Sequence, residues 1–314
     1  MLHLLSYTVY QDPSGIGSDI GYALRSVGCD GLEMLTAYDT PPKVFSDHVV
    51  TVHLPYATDW LSGWEGRPYD VDESAVRYYM YGRDRDEVVD TLSLAMDLAG
   101  RYNPRHGVMH ACNADIPELF RRRYTRSDEQ VIDAFCDMMN SVVSTFPDGE
   151  PPFTLAFENL WWPGLRLLDV SGYRRLEDGL EFDDWCICLD TGHMMNCLPG
   201  IYTEEEGIEA LLRVFDRYPS DMVDRIEALH FHYSASSSYR ESFEERGFIE
   251  GEDVGEMFNE AYSHVTRIDQ HMPFGSTRCN EILDVLKPDI VVHELPGSEK
   301  GMMDDVRKQR SLIP

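Results

Sequence analysis

The sequence predicts a single α/β domain over residues 1–314, a (β/α)8 TIM barrel. Three observations carry this: short apolar runs alternate with helix-spaced stretches about eight times, no composition break marks a linker, and metal-ligand residue types recur where the apolar runs end.

Leu2 to Val9 reads as the first strand, followed by turn residues at Gln11-Asp-Pro-Ser-Gly15 and helical spacing from Ile20 to Val27. The turn Gly28-Cys-Asp-Gly31 feeds a second strand that ends near Leu35, and Val49 to Leu54 forms a third, ending His53-Leu-Pro-Tyr56. Residues 57–85, rich in Trp60, Trp64, Tyr69, Tyr78, Tyr79 and Tyr81, read as a lid-like insertion, with a plain surface excursion as the alternative. A helix from Asp86 precedes a fourth strand ending at His110. Another begins at Ser127, with Asp128 and Glu129 in its first turn and a stripe of Val131, Ile132, Phe135, Met138 and Met139 that reads as core. Phe153 to Asn159 is the fifth strand and carries Glu158. In the sixth, period-2 alternation puts Cys186, Cys188 and Asp190 on one face, and Gly192 is expected to break the chain into a loop bearing His193. Both cysteines read as small core residues rather than soft ligands. Glu204 to Arg217 is helical, and Ile226 to Tyr233 is the seventh strand, with His230 and His232. Residues 234–267 form a second lid-like insertion, leading to Asp269-Gln-His271, a helix at Asn280 to Leu286, and an eighth strand from Asp289 that carries Glu294. An open doubly wound sheet is the competing fold. Against it, Ser14-Gly-Ile-Gly-Ser18 lacks the third glycine and the adjacent helix start of a dinucleotide site.

Charge restricts the partners. The formal net charge is −29, from 56 acidic and 27 basic residues, of which four are Lys. Such a surface repels nucleic acid at long range, so damaged DNA is disfavoured unless favourable charge is local. Arg121-Arg-Arg123-Tyr-Thr-Arg126 is a weak candidate for such a patch, with a solvated helix face as the plainer reading. No apolar run approaches the roughly 18 residues of a membrane span, and the start lacks signal-peptide character, so a cytoplasmic protein with no membrane partner is expected. Seven cysteines do not suggest a disulfide framework.

Barrel active sites gather at the carboxyl ends of the strands. There this sequence places His53, His110, Glu158, Asp190, His193, His230 and Glu294, with Asp269 and His271 on the last long connection. Any one of these is an ordinary polar residue taken alone. Nine N and O ligand types on one rim exceed what a single tetrahedral zinc uses and point to a multinuclear site.

These residues resemble the xylose isomerase-like barrels, which include sugar phosphate isomerases and epimerases and the endonuclease IV-type repair enzymes. His53-Leu-Pro-Tyr56, His110, Glu158-Asn159, Asp190-Thr-Gly-His193, His230, Asp269-Gln-His271 and Glu294 match the ligand pattern of endonuclease IV most closely. That resemblance implies up to three Zn2+ held by nine residues, with Glu158 bridging two of them; Mn2+ or Fe2+ fit nearly as well. The Gly28-to-Glu33 motif looks instead like the isomerase branch, and the loop from Thr36 to Pro42 has no arginine where the repair enzymes insert one into DNA.

The first reading is therefore a phosphoester hydrolase akin to abasic-site endonucleases, acting on a small phosphorylated substrate or damaged DNA. The alternative is a sugar or sugar phosphate isomerase or epimerase, with one metal on Glu158, Asp190, His230 and Glu294, and Glu158 and Glu294 as the acid-base pair. A third class acts on a peptide or partner protein. Tyr56, His232 and Glu33 are expected to contact substrate, with His230 preferred over His232 as ligand.

Overall fold

The computed structural model describes residues 1–10, 19–38, 45–68, 71–247, 253–296 and 299–314. The turn expected at 11–15, the 14–18 glycines, Tyr69 and part of the 36–42 loop lie outside them. Eight parallel strands close in sequence order: β1 (Leu2–Thr8), β2 (Gly31–Leu35), β3 (Val49–His53), β4 (His106–His110), β5 (Thr154–Glu158), β6 (Trp185–Asp190), β7 (Ile226–His230) and β8 (Ile290–His293). The helices follow in order: α1 (Ile20–Val27), α2 (Trp60–Trp64), α3 (Val76–Tyr79), α4 (Arg85–Gly100), α5 (Asp128–Val143), α6 (Val170–Gly179), α7 (Thr191–Cys197), α8 (Glu204–Phe215), α9 (Ser220–Asp224), α10 (Ser237–Ser242), α11 (Val254–Ile268), α12 (Asn280–Leu286) and α13 (Glu299–Arg310). None is long and apolar enough to cross a membrane.

Alternation along each strand makes two apolar zones. Inward residues Leu4, Val108, Ala156, Cys186, Cys188, Ala228, Ile290 and Val292 fill the lower barrel, while outward residues such as Ile187 and Leu189 join the larger core beneath the helices. All seven cysteines are free, and burial pushes the Cys188 thiol up to about 12, which keeps it protonated.

The flanking helices carry the signals that the sequence displays. Ser127 accepts from the Gln130 N–H and Gln130 returns a bond to the Ser127 N–H, a reciprocal cap that starts α5. In the 57–85 segment, α2 is packed inward: Trp60 is buried, donates to the Cys112 carbonyl at 2.8 Å and meets the Phe135 ring of α5.

Two local expectations are corrected. Gly192 does not open a loop; it lies inside α7, which starts directly after β6 with Asp190 as its N-cap. A Cβ at this position would come within 2.2 Å of the His232 ring, so the glycine permits close packing rather than a turn. Strand β7 stops at His230, leaving His232 beyond it.

Candidate metal centre

Parallel register does most of the assembly. It sets His110 opposite Glu158 and Asp190 opposite His230, while Glu294 follows β8 directly. Glu158, 1% exposed, sits at the centre. Its Oε2 lies 3.3 Å from Nε2 of both His53 and His110, and its Oε1 lies 3.0 Å from Nδ1 of His230. The His230 Nδ1 is also 3.2 Å from Glu294 and 3.8 Å from Asp190. On the far side, Asp269 Oδ2 is shared by Nε2 of His193 at 3.1 Å and of His271 at 2.6 Å.

Second partners set which nitrogen faces inward. Nδ1 of His53, His193 and His271 each meets a backbone carbonyl, of Leu54 at 2.7 Å, Asn159 at 2.9 Å and Glu294 at 2.9 Å. A carbonyl only accepts, so Nδ1 carries the proton and Nε2 is left as the donor atom for a cation. His230 is reversed: its Nδ1 faces the centre, while Glu33 Oε1 stands 2.8 Å from its Nε2 as a close charge contact without hydrogen-bond alignment. Glu33 is in turn held by the Thr51 hydroxyl at 3.0 Å. The Asp190 carboxylate accepts the His193 N–H at 2.6 Å, and its backbone is bracketed by the Asn159 side chain, which fixes β6 against β5.

The charges are mutually dependent. Burial works against ionised imidazole throughout, and neighbouring carboxylates overrule it at His53, His193 and His230, whose pKa values rise, and at His271, pushed up to about 10 beside Asp269. At His110 burial prevails and the pKa falls. Burial also opposes ionised carboxylates, yet His230 and His110 hold Glu158 well below its usual range, and His271 and His193 do the same for Asp269.

All nine expected ligands converge. They fall into His53, His110 and Glu158; Glu158, Asp190, His230 and Glu294; and His193, Asp269 and His271, with the ligand atoms of each group within 4.8 Å of one another. His232 forms a further overlapping group with His271 and Glu294. The donor set is hard oxygen plus imidazole nitrogen, which suits zinc, manganese or iron. Asp269 Oδ1, buried with no hydrogen-bond partner, is the kind of orphaned acceptor that a cation satisfies.

The expected substrate contacts separate. Tyr56, 45% exposed, lines the cavity and stacks on His110 with ring centroids 4.8 Å apart. Glu33 and His232, also expected to contact substrate, are both buried and neither lines this cavity. Glu33 is 2.8 Å from His230, and His232 is 2.9 Å from Asp190 with its ring stacked on His271. The 121–126 arginines are not on a helix; Arg122 pairs with Glu245 at 2.8 Å and Arg126 with Glu65 at 2.6 Å. Thr51 and the bracket formed by Asn159 were not anticipated, although Asn159 directly follows Glu158 in the motif.

The cavity above the cluster, about 370 Å³, is lined by seven of the nine expected ligands, all but Asp190 and His230, and by Tyr56, Ser6, Thr8, Leu295, Pro296 and Met302 among others. No protein-family model and no curated protein sequence matches this chain. Solved structures do. A protein assigned as a xylose isomerase from Rhodospirillum rubrum aligns at TM-score 0.59 and 11% identity over 99% of this chain and 98% of its own. Endonuclease IV from Thermus thermophilus aligns at 0.52 and 10%, over 99% and 98%. A D-tagatose 3-epimerase-like protein aligns at 0.51 and 12%, over 99% and 97%. With its closed eight-stranded parallel barrel and these neighbours, the chain has the xylose isomerase-like TIM barrel fold.

Proposed function

We propose that this chain is a divalent-metal-dependent phosphoester hydrolase with a multinuclear centre. The observation that carries the reading is the division of Glu158: one oxygen faces His53 and His110, and the other faces His230. A carboxylate placed this way suits a bridge between two cations, and His193, Asp269 and His271 supply a third group. Bound divalent ions would supply a nucleophilic water at neutral pH and charge to stabilise the phosphoryl oxygens. The chain's own residues position the reaction. His53, His193 and His271 keep their Nδ1 protons on backbone carbonyls, so Nε2 is the nitrogen that would face a cation once its own proton is released. Tyr56 walls one side of the cavity, and no Lys or Arg is among the described lining residues. Phosphate recognition would thus fall to the metal cluster itself.

A one-metal isomerase or epimerase is the second reading. It is favoured by the grouping of Glu158, Asp190, His230 and Glu294, in which both glutamates approach the same His230 nitrogen.

Metal counting on protein purified without chelator, paired with turnover of phosphoesters, abasic-site DNA and a ketose panel, separates the two. About three metals per chain with phosphoester turnover is expected. About one metal with epimerisation overturns the hydrolase reading. Glu158→Gln should abolish turnover under either mechanism. His110→Ala should lower metal content and activity only in a multinuclear site, so wild-type values there would remove the reason for preferring hydrolysis.

A further inference from the structure

A second cavity, about 390 Å³, opens beside the cluster and shares Tyr56, Asp269, His271, Glu294, Leu295 and Pro296 with the first. The rest of its lining is mostly apolar: Leu119 and Trp162, with Phe258, Ala261 and Val265 from α11, beside the uncharged Thr58, Thr266 and Gln270. Tyr262 stands at its edge, 62% exposed. A large aromatic left in water at the rim of an apolar recess is a common feature of ligand sites.

We infer that this recess is a substrate subsite for an uncharged aromatic group attached to the scissile phosphoester. The inference rests on the hydrolase reading and adds the substrate class to it. Continuity is the first argument, because a ligand anchored at Asp269, His271 and Glu294 already borders the recess. Charge is the second. No Lys or Arg is among the described residues lining either cavity, and the chain carries a net charge of −29, so a polyanionic backbone running through the recess would meet no neutralising partner. Size is the third, since an apolar cavity of about 150 Å³ suffices to hold benzene.

The test compares phenylphosphonate with methylphosphonate, two unhydrolysable ligands of like charge, together with inorganic phosphate, on the metal-loaded full chain by calorimetry. Phenylphosphonate should bind at least about 10-fold more tightly than methylphosphonate, the gain expected from burying one ring. Val265→Trp, which fills the recess from a half-buried position, should reduce that preference to about 2-fold with metal content unchanged. Tyr262→Ala, at an exposed position that does not threaten folding, should reduce it in the same direction. Equal binding of both phosphonates by the wild type, with phosphate still bound, overturns the subsite alone. A preference that neither variant alters also overturns it. If none of the three anions binds to metal-loaded protein, the hydrolase reading fails and the subsite falls with it.

Discussion

At the scale of single residues, ligands and the groups that aim them have separate jobs. Glu33 does not line the cavity above the cluster, yet its carboxylate places a buried charge 2.8 Å behind the His230 ring. Partners of this kind typically alter metal affinity by 10- to 100-fold when removed. Glu33→Gln is therefore expected to weaken the cation held by His230 by about that factor, measured by chelator competition, with a smaller effect from Thr51→Val. Gly192→Ala tests packing at the same layer. The added methyl would meet His232, a fully buried ring that also pairs with Asp190, and should cost about 1–3 kcal/mol in urea unfolding. An unchanged midpoint would mean that the ring moves freely.

At the scale of elements, the strands were legible and several helices were not. Strand β6 announces itself by alternation, and α5 by its cap and stripe, because both signals are local. Helix α11 was hidden in a polar stretch, and α13 had no sequence signal that singled it out. Helix α13 docks through the buried Met302 and Val306, through Arg307 and Arg310 on the Ser26 and Gly28 carbonyls, and through one polar side chain. Gln309, fully buried, donates to the Phe231 carbonyl at 2.8 Å, accepts the Phe274 N–H at 2.6 Å and lies 2.8 Å from His293 Nδ1. Gln309→Ala would strand these partners out of water, at about 2–3 kcal/mol measured by denaturant unfolding, and should loosen α13 before the barrel.

At the scale of the whole molecule, acid sensitivity follows from histidines sealed inside the barrel wall. Burial lowers His3 and His106 to about 4 and takes His293 well below its usual value. Their unfolded counterparts titrate near 6.5, so in that window the unfolded chain binds more protons than the folded one. Their contribution is fully present above about 6.5 and is lost as pH falls towards about 4. Unfolding midpoints of metal-loaded protein should decline over that range, and His106→Asn should flatten the slope; an unchanged slope would show that His106 is already protonated when folded. Metal uptake has its own proton linkage, because the carboxylates that raise His193, His230 and His271 favour protons there too. Cation binding should release protons near neutral pH, seen as a buffer-dependent heat in calorimetry.

The sequence by itself determined the barrel and which imidazoles and carboxylates stand at its strand ends, since strand period and strand ends are local properties and a barrel brings all strand ends to one rim. Only the tertiary structure decided depth and grouping. Glu33 and His232 look like rim residues in sequence, but both are buried: Glu33 follows a register shift in β2 and approaches His230, and His232 lies past the end of β7 and pairs with Asp190. It also took the closed barrel to turn the two oxygens of Glu158 towards different histidines, because those partners come from β3, β4 and β7 and meet only when every strand is in place.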